Sequence, residues 1–116
     1  MSRPEDIVRL RHMLDHAREA SAMIRGKTRA ELESDRQLNL ALVRLLEIVG
    51  EAAGRVSEQE RARHRAIPWP EIIGLRNRLI HGYDAVDLGV LWQIVTEDLP
   101  PLMEALERAL ASQGTC

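Results

Sequence analysis

Arg76, Asn77 and His81 fall within one short stretch of this 116-residue chain, Trp69-Pro-Glu-Ile-Ile-Gly-Leu-Arg-Asn-Arg-Leu-Ile-His-Gly-Tyr83. Arginine offers planar, bidentate donors to a phosphate and stabilises the charge that develops in phosphoryl transfer. Histidine moves protons near neutral pH. The sequence carries no metal-ligand cluster beside them, so the pair suits metal-independent cleavage of RNA, with the ribose 2′-OH as internal nucleophile. The spacing alone is a weak signal, because Arg11 and His16 repeat it where nothing else supports a site.

The stretch reads as a helix from Pro70 to about His81, stopped by Gly82. On its wheel Ile72, Ile73, Leu75, Leu79 and Ile80 define an apolar face. Arg76 falls in the middle of that face and Arg78 on the solvent side. An arginine on an apolar face is costly unless it is paired or opens into a polar site. Two readings therefore stand: a phosphate clamp, or a buried residue salt-bridged to Glu47 or Glu51. Asn77 and His81 are neighbours at i and i+4, and a helix C-terminus favours the His81 imidazolium. Arg76 and His81 lie about 140° apart on an ideal helix. They converge only if the helix end is distorted, or in a groove formed with a second copy of the chain.

The elements that must position these residues read as helical almost throughout, without runs of period-2 β-branched residues. A first helix is predicted from about Pro4 to Arg25, with Gly26 at its end and one stripe from Ile7 to Ile24 buried. Thr28-Arg-Ala-Glu31, Ser34-Asp-Arg-Gln37 and Ser57-Glu-Gln-Glu60 have the form of capping boxes. They open a short second helix, a third from about Asp35 to Ala53, and a short helix ending near His64. The third is apolar over most of its circumference, more than a small monomer is expected to cover, which implies a subunit interface. Asp87 can cap a last helix from Leu88 to about Ala111. Its apolar residues hold one phase across Pro100-Pro101, so a kink is predicted there rather than a break. The expected fold is an all-α, up-down four-helix bundle with one or two short extra helices, a single domain over residues 1–116 with 113–116 a frayed tail.

Composition narrows the function classes. With 16 basic and 18 acidic residues the net charge is -2, so a wholesale polycation is excluded and nucleic-acid contact must be local. The stretch from Arg55 to His81 holds six arginines against three glutamates, a local surplus that can guide a phosphate backbone. The one cysteine, Cys116, rules out an internal disulfide and a Cys-based zinc site. No apolar run approaches a membrane span and the N-terminus is charged, so a cytoplasmic location is expected. His12, Asp15, His16 and Glu19 share a face at spacings able to bind a metal, but a solvated polar face is the preferred reading.

Arg76-Asn-Arg-Leu-Ile-His-Gly-Tyr83 resembles the R-x4-H-x-Y motif of HepT-like toxins, in the HEPN (higher eukaryote and prokaryote nucleotide-binding) superfamily. The resemblance extends over almost the whole chain, including Leu46-Glu-Ile-Val-Gly-Glu-Ala-Ala53, the Trp69 lead-in and the Asp98-Leu-Pro region. It implies an all-helical homodimer acting as a ribonuclease toxin of a toxin–antitoxin pair. Arg76 and His81 are then catalytic, assisted by Asn77, and Glu51, Arg78 and Arg65 are candidates for support or RNA contact. The implied partner is a minimal nucleotidyltransferase (MNT-type) antitoxin that silences the toxin by transferring AMP to Tyr83. No cofactor and no metal are expected. The alternative is a non-catalytic helical subunit that docks a nucleotidyltransferase.

Overall fold

The computed structural model describes residues 2–82 and 85–114. Helix α1 spans Pro4–Ile24, with proline in its first turn and Glu5 and Asp6 complementing the helix dipole. It ends before Gly26, which takes a positive φ of 76°. Leu10, Met13, Leu14, Ala17, Ala20 and Ile24 are buried along the predicted stripe, while Ile7 is only half-buried. Helix α2 (Arg29–Ser34) opens with a complete capping box: Thr28 and Glu31 satisfy each other's backbone N–H groups. Helix α3 (Arg36–Gly54) is capped by Asp35, whose carboxylate accepts the Leu38 N–H at 3.0 Å, one residue later than the Ser34 cap predicted from sequence. Helix α4 (Glu58–Arg63) starts at Ser57, which accepts from the Glu60 N–H.

The predicted fourth helix is where the structure departs from the sequence reading. It divides into α5 (Trp69–Ile73) and α6 (Leu75–Leu79), broken at Gly74, whose φ of −86° and ψ of 9° leave the α-helical path. The chain then becomes extended. Strand β1 (Ile80–His81) pairs antiparallel with β2 (Ala85–Val86), Ile80 opposite Val86 and His81 opposite Ala85. Gly82, expected as a helix stop, is instead the first turn residue of this hairpin, with φ 75°.

The last helix is continuous but not uniform. Asp87 caps α7 (Leu88–Gln93) by accepting the Val90 N–H at 3.0 Å. A π-helical turn follows at Ile94–Asp98 and leads into α8 (Leu99–Gly114), which runs through both prolines. The wider turn lies on the N-terminal side of Pro100 and Pro101, where a proline ring would crowd a regular α-helical carbonyl.

These pieces form the predicted bundle, its four main members being α1, α3, α5–α6 and α7–α8. Helix α3 is central: α1 packs along it, and α2, α5, α6 and α7 also contact it. Its apolar circumference is therefore covered largely within one chain, and the premise that a monomer could not cover it is corrected. Leu40 remains exposed and Ile48 half-buried. No helix among the described residues is long and apolar enough to cross a membrane.

Candidate functional site

Close packing of α5 on α3 sets the first half of the site. A Cβ on Gly50 would stand 2.9 Å from the Ile72 carbonyl oxygen, so only glycine lets the two backbones approach this closely. The break at Gly74 then turns α6 relative to α5. Leu75 and Leu79 are buried, whereas Ile73, assigned to the apolar face from sequence, is exposed at the rim.

The same turn places Arg76 at the surface. Its side chain is 73% exposed and its Nε lies 3.3 Å from Glu47 Oε2. The wheel that put Arg76 inside an apolar face assumed an unbroken helix, and the break at Gly74 invalidates it. Of the two predicted partners, Glu47 pairs with Arg76, while Glu51 faces Arg44 at 3.5 Å. Arg44 also reaches Glu47 at 3.9 Å, so the four side chains form one surface network. Arg76, Asn77, Glu47 and Glu51 line a common groove of about 350 Å³ between α3 and the α5–α6 corner.

His81 sits on β1, not at a helix C-terminus, and the helix-dipole argument for its charge falls away. It is exposed, and its Nε2 lies 3.5 Å from Asp87 Oδ2. Asp87 was legible as a helix cap but not as the partner of His81, because that meeting depends on the β1–β2 pairing. The Asp87 carboxyl is held below its usual range, chiefly by the Val90 N–H bond; partial burial opposes this, and His81 and the Gly89 N–H reinforce it.

The remaining candidates are dispersed. Arg78, predicted to face solvent, is half-buried and lies 3.6 Å from Asp98. It borders a cavity of about 510 Å³ with Glu71, Gln93 and Glu97. Arg65 lines a third depression, with Arg63, His64 and Arg108. Tyr83 and Cys116 lie outside the described residues. On the first helix, His16 Nδ1 lies 2.7 Å from the His12 carbonyl oxygen. Among the described residues no group of three or more His, Cys, Asp or Glu converges to hold a metal.

Buried polar ties the sequence did not single out hold the neighbouring loop. Asp6 accepts from the Ser57 N–H at 2.9 Å and from its hydroxyl at 2.7 Å. Buried Glu60 meets His64 Nε2 at 2.7 Å, and the Trp69 indole N–H donates to the Arg61 and His64 carbonyls. Trp69 thereby fixes the start of α5, two turns ahead of Arg76.

The fold is a helical bundle with one short hairpin, and it presents the arginine, asparagine and histidine of one motif at its surface. The chain belongs to the HepT-like ribonuclease family: the family model described as "Ribonuclease HepT-like" matches residues 13–109. It is 31% identical over 104 residues to "Putative RNase TTE0752" of Caldanaerobacter subterraneus subsp. tengcongensis, covering 90% of this chain and 93% of that one. It is 39% identical over 77 residues to "Putative RNase MJ1380" of Methanocaldococcus jannaschii, covering 66% and 71%. Over 74 residues it is 40% identical to "Probable ribonuclease HepT" of Thermococcus cleftensis, covering 64% and 67%. No solved structure gives a significant match.

Proposed function

We propose that this protein is the ribonuclease toxin of a toxin–antitoxin pair and that it cleaves RNA as a homodimer without a metal. Arg76 binds the scissile phosphate and stabilises the charge of the transition state. His81 moves the proton, and Asn77 assists at the phosphate. In the step itself the ribose 2′-oxygen bonds to the adjacent phosphorus, the bond to the 5′-oxygen breaks, and a cyclic phosphate and a 5′-hydroxyl result. The 2′-OH gives up a proton and the leaving oxygen takes one.

The observation that carries this reading is the exposure of both Arg76 and His81. Neither Arg76 nor His81 is used in the core, and each is held by a carboxylate from another element, Glu47 on α3 and Asp87 at the start of α7. Exposed Ile73 at the rim of the Arg76 groove supports a second copy seated there. Silencing proceeds by transfer of AMP to Tyr83 by an MNT-type antitoxin. An anionic adduct two residues from His81 would repel RNA phosphates.

Purified protein is expected to cut RNA in EDTA, and Arg76→Ala or His81→Ala to abolish cutting while the dimer persists. Wild-type cutting by both variants would refute the assignment. Intact mass after co-expression with the antitoxin is expected to rise by whole AMP units, and to stay unchanged in Tyr83→Phe.

A further inference from the structure

The geometry points to Asp87 as the positioning residue of His81, an inference that rests on His81 being the proton-moving group. Asp87 is fixed from both sides. Its backbone N–H donates to the Leu79 carbonyl at 2.8 Å, which ties the residue after β2 to the residue before β1. Its own carbonyl accepts the Leu91 N–H at 2.9 Å as α7 begins. The carboxylate is then divided between two tasks. Oδ1 accepts the Val90 N–H at 3.0 Å, while Oδ2 lies 3.5 Å from His81 Nε2.

A carboxylate facing one nitrogen of an imidazole selects the tautomer. With Nε2 toward Asp87, the neutral ring keeps its proton on Nε2 and presents the Nδ1 lone pair outward. When Nδ1 takes a proton, the carboxylate still faces the Nε2–H and holds the ring in place. This is the division of labour between base and orienting acid found in hydrolytic triads, without the nucleophilic side chain, since the substrate supplies its own hydroxyl. Asp87 touches neither RNA nor the scissile bond and acts through His81.

Asp87→Asn isolates this role, because asparagine caps a helix as well as aspartate does. Asp35→Asn at the start of α3 is the matched control, a cap of the same chemistry at the start of another helix. In Asp87→Asn, kcat is expected to fall by about 10–100-fold, part of the 10²–10⁴ that acid–base catalysis supplies, with KM and thermal midpoint unchanged. The ¹⁵N shifts of the His81 ring are expected to lose the pattern of a proton held on Nε2. Asp35→Asn should leave both readouts as in wild type. If Asp87→Asn lowers the thermal midpoint, Asp87→Ser, which also caps, carries the same expectations.

Full kcat together with an unchanged His81 ¹⁵N pattern in a folded Asp87 variant overturns the positioning role. His81→Ala separates that failure from failure of the underlying reading. If His81→Ala is inactive while Asp87→Asn is fully active, His81 stands and Asp87 does not. If His81→Ala cuts RNA normally, the reading of His81 fails, and the ring shifts alone still decide whether Asp87 sets the tautomer.

Discussion

Replacing Gly50 by alanine tests how α3 carries the site. The new Cβ would sit 2.9 Å from the Ile72 carbonyl oxygen, about 0.5 Å inside ordinary van der Waals contact, and that oxygen is backbone. No rotamer relieves the clash, so α5 must move. Overpacking of this kind costs about 1–3 kcal/mol. Alanine also returns up to about 1 kcal/mol of helix propensity, which blurs a single measurement. Gly54 on the same helix supplies the correction. A Cβ there would meet only Ile73 Cγ2, at 4.0 Å, so Gly54→Ala receives the propensity gain without the clash. The difference between the two variants is then the steric term, about 1–3 kcal/mol, or roughly 4–12 °C in thermal midpoint for a chain of this size. Urea denaturation followed by circular dichroism measures both. Equal stability of Gly50→Ala and Gly54→Ala would show that α5 does not press on α3 and would refute the account of how Arg76 is placed.

Two further outcomes follow from the core and its polar ties. Burial pushes the Asp6 carboxyl up, but hydrogen bonds from the Ser57 N–H and hydroxyl, with Arg3 and Arg63 nearby, more than offset this and leave it below its ordinary value. A carboxyl lowered on folding contributes stability above its unfolded value of about pH 4, and loses that contribution as pH falls through the folded value. Asp6→Ala is therefore expected to cost about 1.5–3 kcal/mol near neutral pH, with a gap to wild type that narrows below about pH 4 in urea melts. Leu46→Ala, at a fully buried position on the central helix, is expected to cost about 2–5 kcal/mol in the same assay.

Much of the bundle was legible in the sequence because its signals are local. The stripe on α1, the Thr28 and Ser57 caps and the unbroken phase of the last helix each depend on residues within one or two turns. The motif segment failed the same treatment for a physical reason. A helical wheel presumes a regular rotation per residue, and the Gly74 break and the β1–β2 ladder both interrupt it, so Arg76 is exposed where an apolar face was predicted and Arg78 half-buried where solvent was. Gly82 was recognised as a stop, but whether a glycine ends a helix or turns a hairpin depends on what its neighbours pair with. Asp87 shows the same limit. Its cap is written in the next three residues, while its contact with His81 arises only when β1 and β2 align. Glu47 and Glu51 were both candidates for Arg76, and the choice between them was made by the corner that α5 and α6 turn on α3.

The Asp6–Ser57 bond has a consequence in time as well as in stability. Helices α1 and α3 form a hairpin closed at the short Gly26–Asp35 connection, and this bond sits at the opposite, open end. Contacts near the closed end need only a short loop, whereas Asp6 and Ser57 meet across 51 residues. The open end is therefore expected to form late in folding and to open early in unfolding. Strengthening or removing the bond should alter the unfolding rate far more than the folding rate. Asp6→Ala is thus expected to shorten the lifetime of the folded state more than it slows its formation, which stopped-flow refolding and unfolding would measure.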